Sequence, residues 1–94
     1  MTHNAAFYFA NLGADVARCV HAAKNCDESR YHESILRAHR TLEQLHKTKR
    51  YEAYEEALLM LRCLSLSKTT PETLSSFQSS LDSLIATFPM RLTI

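Results

Sequence analysis

The chain has 94 residues, a formal net charge of +1, 46% hydrophobic residues, one glycine and two prolines. A chain of this length makes one domain that buries roughly 60–70% of its unfolded surface, and its apolar content excludes a disordered polymer. The near-neutral balance excludes a generally basic nucleic-acid footprint, and a single glycine excludes a phosphate-cradling glycine loop.

Residues 4 to 24 predict a first helix. Phe9, Leu12, Val16, Cys19, Val20 and Ala23 form its main stripe. A strip of small residues, Ala6, Ala10, Gly13 and Ala17, runs beside it. Glycine inside a helix costs about 1 kcal/mol against alanine, so Gly13 predicts the close approach of another backbone. Asp15, Arg18 and His21 are expected on the outer side. In the turn Lys24-Asn25-Cys26-Asp27, Asn25 is placed to take a left-handed conformation and Asp27 to cap the next helix.

The second helix, residues 28 to 47, carries the cleanest pattern. Tyr31, Ile35, Ala38, Leu42 and Leu45 step by four, three, four and three, which keeps them within about 40° of one line. His32, His39 and His46 follow one border of this stripe, and Ser34, Thr41 and Thr48 the other. Glu33–Arg37 and Glu43–Lys47 have the i,i+4 spacing of solvated ion pairs. The basic turn Lys47, Lys49, Arg50 fits the negative end of this helix.

The third helix, about 51 to 66, has a core stripe of Tyr54, Ala57, Leu58, Leu61 and Leu64. Leu59, Met60, Cys63 and Leu66 lie away from that stripe, and a helix apolar on all sides is normally covered on all sides. Pro71 with Thr70 before it and Glu72 behind it marks the start of a fourth helix, whose stripe is Leu74, Phe77, Leu81, Leu84 and Phe88 with Ile85 alongside. Its other faces are mostly serine, so packing rather than propensity must hold it. Pro89 is expected to stop it, leaving Met90 to Ile94 as an apolar tail against the bundle or a partner. Residues 1–94 therefore read as a single all-α domain, an antiparallel up-down-up-down four-helix bundle with helices near 4–24, 28–47, 51–66 and 71–88.

Three kinds of site were weighed on this frame. The leading reading is a non-enzymatic bundle acting through protein–protein contact and pairing with itself, or with an unidentified protein, through Leu59, Met60, Cys63, Leu66, Met90 and Leu92. The second is catalytic or RNA-binding. Arg40 and His46 have the R-x5-H spacing that resembles HEPN-type helical ribonucleases, small bundles that act as dimers. The resemblance implies acid–base work by His46 and phosphate holding by Arg40; the basic turn Lys47, Lys49 and Arg50 would suit RNA backbone. In one continuous helix, however, Arg40 and His46 point about 120° apart. The third is metal binding by His39, Glu43 and His46, spaced i, i+4 and i+7, with Glu43 and His46 in an ExxH of the di-iron type. Such a centre needs a second ExxH and further carboxylates, which the helices do not supply, so no cofactor is expected.

Three cysteines without paired spacing read as reduced thiols, the start MTHNAAFYFANLGADVA carries no basic leader, and no stretch spans a bilayer. A cytoplasmic protein without membrane contact is expected. Residues 7 to 18, Phe-Tyr-Phe-Ala-Asn-Leu-Gly-Ala-Asp-Val-Ala-Arg, resemble the opening of uncharacterised short helical proteins of bacterial genomes. That resemblance covers about an eighth of the chain and implies a bacterial, cytosolic helical domain with no assigned activity or site residue.

Overall fold

The computed structural model describes residues 3–68 and 71–92, and their side chains except those of 71 and 88–92. Four helices fill these residues: α1 (Ala5–Lys24), α2 (Glu28–Lys47), α3 (Tyr51–Ser67) and α4 (Pro71–Leu92). The protein is an all-α four-helix bundle. No described helix is long and apolar enough to cross a membrane.

Local chemistry sets the helix ends. The Asn4 side chain accepts a hydrogen bond from the Phe7 amide at 2.9 Å and starts α1. At its other end, the Cys26 amide donates to the Ala23 carbonyl and the Asp27 amide to the Ala22 carbonyl, which is a Schellman closure. The left-handed residue of that closure is Cys26, φ 55°, and not Asn25, whose φ is −95°. Asn25 instead satisfies the His21 carbonyl with its backbone amide and its side-chain amide. Asp27 then caps α2 through the Arg30 amide at 3.0 Å. The α2–α3 corner repeats this backbone course, with Lys49 at φ 62° and Arg50 in the place of Asp27. Arg50 makes no side-chain cap; its guanidinium pairs with Glu52 at 3.0 Å.

Contacts between helices fix the arrangement. α1 packs on all three others, and α2 and α4 do not pack on each other among the described residues. The bundle is therefore flattened in cross-section, with principal extents of 36 × 23 × 16 Å. The end of α1 meets the start of α2, where Cys19 Sγ approaches the Tyr31 carbonyl at 4.0 Å. The end of α3 is tied to the start of α2: Lys68 Nζ lies 3.3 Å from Glu28 and 3.9 Å from the centre of the Tyr31 ring. Burial, and then the neighbouring Cys19 and Glu28, push the Tyr31 phenol upward.

The core takes Phe9, Leu12, Val16, Cys19 and Val20 from α1, and Ala38, Leu42 and Leu45 from α2. Ala57, Met60, Leu61 and Leu64 come from α3, and Leu74, Phe77 and Leu81 from α4. Several expectations shift here. Asp15 is not on the outside; it is 2% exposed, with its carboxylate 2.7 Å from Arg18. It sits one turn before Cys19 on a helix covered from three directions, and Arg18 reaches out from it to water. Gly13 is buried as expected, but what meets it is the Ile85 side chain of α4, whose Cγ1 would lie 2.8 Å from a Cβ built there. Ala10, in the same small-residue strip, is exposed. Neither Glu33–Arg37 nor Glu43–Lys47 forms an ion pair. Pro89 does not end α4, which continues to Leu92. Proline removes its own amide donor and its ring crowds the carbonyl four residues back, a local cost that does not prevent a helix from running on for a turn near its end. The proposed cap Thr70 lies outside the described residues.

Candidate functional site

The outer faces of α3 and α4 frame a groove of about 450 Å³. Met60, Phe77 and Leu81 are its buried floor; Leu59 and Cys63 rise on the α3 side, and Ser76 and Ser80 on the α4 side. Helix pitch explains the ridge. Leu59, Cys63 and Leu66 fall on one line that points away from Ala57 and Leu64, the residues that anchor α3 in the core. Leu59 is 54% and Leu66 73% exposed, and Cys63 is exposed. Met60 departs from the expected surface set: it is 4% exposed and belongs to the core. Its angle on the helix lies between the core line and the ridge, and the approach of α4 closes over it. The side chains of Met90 and Leu92 lie outside the described ones, but their backbone prolongs α4. Residues 90 to 92 therefore do not turn back across α3 as a separate tail.

The nuclease constellation is not brought together. Arg40 and His46 are both exposed on the single unbroken helix α2, six residues and about 120° apart. His46 turns its ring to Tyr54, 4.7 Å away, and to Tyr51, 6.2 Å away, rather than to Arg40. Nor are the metal candidates gathered: Glu43 and His46 share a shallow depression with Leu42, Lys47 and Tyr54 that His39 does not line. Among the described residues no three His, Cys, Asp or Glu side chains are grouped as a metal centre needs. His32 and His39 are exposed along the solvent border of α2.

The basic turn has a more developed setting than its sequence announced. Lys47 and Arg50 line a second depression of about 390 Å³ with His3, Asn4, Tyr8, Gln44 and Thr48. The His3 ring stacks on Phe7 with centroids 3.8 Å apart, and Phe7 meets Tyr8 edge-on. Sequence reasoning missed this ring cluster. The signal was the pairing of Phe7-Tyr8 near the start of α1 with Tyr51 at the start of α3, aromatic residues outside the core stripes, beside Tyr54 at the head of the α3 stripe. A further cleft between α1 and α2 is lined by Arg18, Arg30 and Arg37, but Asp15 and Asp27 already pair with two of these cations.

Thiol chemistry divides by burial. Cys19 is fully buried, and desolvation, assisted by the Asp15 charge, pushes its thiol up to about 11. Cys26 and Cys63 are exposed free thiols. Comparison of the chain with protein-family models, with curated proteins and with solved structures finds no match.

Proposed function

We propose that this chain is a non-enzymatic, bacterial cytoplasmic protein, an up-down-up-down bundle that acts through protein–protein contact and pairs with a second copy of itself across the α3/α4 groove. The observation that carries the reading is the ridge of Leu59, Cys63 and Leu66 standing exposed beside an apolar groove floored by Met60, Phe77 and Leu81. Other exposed apolar side chains, such as Leu36 on α2, stand singly, whereas Leu59, Cys63 and Leu66 follow one line on α3 beside the groove. The spacing favours a second copy as occupant. Leu59 and Leu66 lie four and three residues either side of Cys63, so two copies of α3 running in opposite directions set each Leu59 beside the other copy's Leu66.

Fully burying a leucine contributes about 1.5–3 kcal/mol, so four partly covered leucines supply about 4–8 kcal/mol. Association itself costs about 4–15 kcal/mol, so groove contacts must add to the leucines, and a dissociation constant on the order of micromolar or weaker follows. The test is light scattering across concentration on the parent chain and on Leu59→Asp and Leu66→Asp. A dimer for the parent, and monomers with unchanged helical circular dichroism for both variants, is expected. A parent that stays monomeric at about millimolar concentration, or variants that remain dimers, overturns the proposal.

A further inference from the structure

We infer that the end of the bundle formed by the start of α1 and the α2–α3 turn is a binding surface for single-stranded nucleic acid, with bases stacked on its rings and phosphates on Lys47 and Lys49. The first observation is where the rings lie. Of the described phenylalanines and tyrosines, Phe9 and Phe77 are in the core and Tyr31 is tied to Lys68 at the opposite end. The remaining four, Phe7, Tyr8, Tyr51 and Tyr54, are all at this end, and none is buried. Phe7 is 42% and Tyr51 57% exposed. Tyr8 and Tyr54 rest one side on the core, and with the exposed Phe7 and Tyr51 they gather ring surface at this one end of the bundle.

The second observation is where the cations lie. Lys47 stands between two depressions, one walled by His3 and Tyr8, the other by His46 and Tyr54 and also lined by Glu43, which directs phosphate toward the Lys47–Lys49 side. Their volumes, about 390 and 270 Å³, are of the order of a small-ligand site. Lys47 and Lys49 are exposed and make no ion pair among the described residues, whereas Arg50 is held by Glu52. A lysine ammonium flanked by two ring-walled hollows is the arrangement that takes consecutive bases on either side of a phosphate. Stacking on such rings is tolerant of sequence, because every base offers a flat face. A duplex hides its bases, so this surface selects single strands. The near-neutral net charge limits non-specific attraction, which leaves the rings with the larger share of binding.

The test is fluorescence anisotropy of a labelled short oligouridylate titrated with the full chain at about 50 and about 200 mM salt. Saturable binding is expected, weakened about tenfold by Tyr54→Ala and, at the other hollow, by His3→Ala, each checked for native circular dichroism. Lys47→Gln with Lys49→Gln should lower the slope of log affinity against log salt by about 1.4. Ser79→Ala, exposed on α4 away from both surfaces, should bind as the parent does. An equal-length RNA duplex should bind about tenfold more weakly. No binding at the lower salt by chain of native circular dichroism overturns the inference. So does binding that none of the ring and lysine substitutions changes, or equal displacement of the probe by polyglutamate, which would mark a surface for acidic peptides.

Discussion

Gly13→Ala tests the close fit of α4 on α1 at Ile85. Replacing an internal helical glycine by alanine contributes about 1 kcal/mol to stability through backbone entropy alone. Here the added methyl meets Ile85 Cγ1 at 2.8 Å and Cδ1 at 2.9 Å, closer than carbon atoms tolerate. Ile85 is half-buried and β-branched, so its Cγ1 and Cδ1 must leave their rotamer to make room, and overpacking of this kind costs about 2 kcal/mol. The net expectation is a loss of about 1 kcal/mol. Ile85→Ala removes the obstructing atoms, at a cost of about 2 kcal/mol for its lost contacts. In that background Gly13→Ala should instead stabilise by about 1 kcal/mol. The double-mutant cycle, read from urea unfolding of the four proteins, should therefore give a favourable coupling of about 2 kcal/mol. Additive effects within about 0.5 kcal/mol, or a stabilising Gly13→Ala in the parent chain, would refute the argument that α4 needs this glycine.

Cys26 occupies a left-handed position at φ 55°, so Cys26→Gly should raise stability by about 1 kcal/mol, read as a higher urea midpoint at unchanged slope. The Cys19 thiol should be protected from a thiol reagent in the native state, while Cys26 and Cys63 react at once. Because its folded-state pKa is raised to about 11 from 9.0, the native protein holds this proton after the unfolded chain has released it. Stability is then full below about pH 9 and falls as pH rises toward 11, by about 2–3 kcal/mol in total. Cys19→Ala should remove most of that alkaline slope in pH-dependent unfolding, leaving the part that the raised Tyr31 phenol contributes. Arg18→Ala leaves the buried Asp15 carboxylate unpaired and should cost about 2 kcal/mol, discounted for the exposure of Arg18. The double variant with Asp15→Ala should recover most of that loss in thermal melts.

The helix spans were legible because each is written several times over. In α2 the stripe from Tyr31 to Leu45, the Asp27 cap and the basic end all state the same limits, and the structure places it at Glu28–Lys47. The site was legible only in part. Leu59 and Leu66 stood out because they fall opposite the α3 stripe. Met60 did not separate from them, since its direction is intermediate and only the position of α4 decides whether it is covered. The ring cluster escaped because it joins residues 3 to 8 with residues 46 to 54, and one-dimensional periodicity holds no record of that meeting.

By itself, the sequence determined the class, the four helices and most of the side each turns inward, because a 3.6-residue repeat and capping chemistry are local properties of the chain. The tertiary structure alone decided which flank of each stripe meets a neighbour. On α2 the serine–threonine border turns inward, burying Ser34, and the histidine border is left in water. On α1, placed against all three other helices, even Asp15 is enclosed. The same packing brought the rings of α1 and α3 to the basic turn. These outcomes depend on how four cylinders share one core, and a shared core is set by the volumes and approach of all of them together.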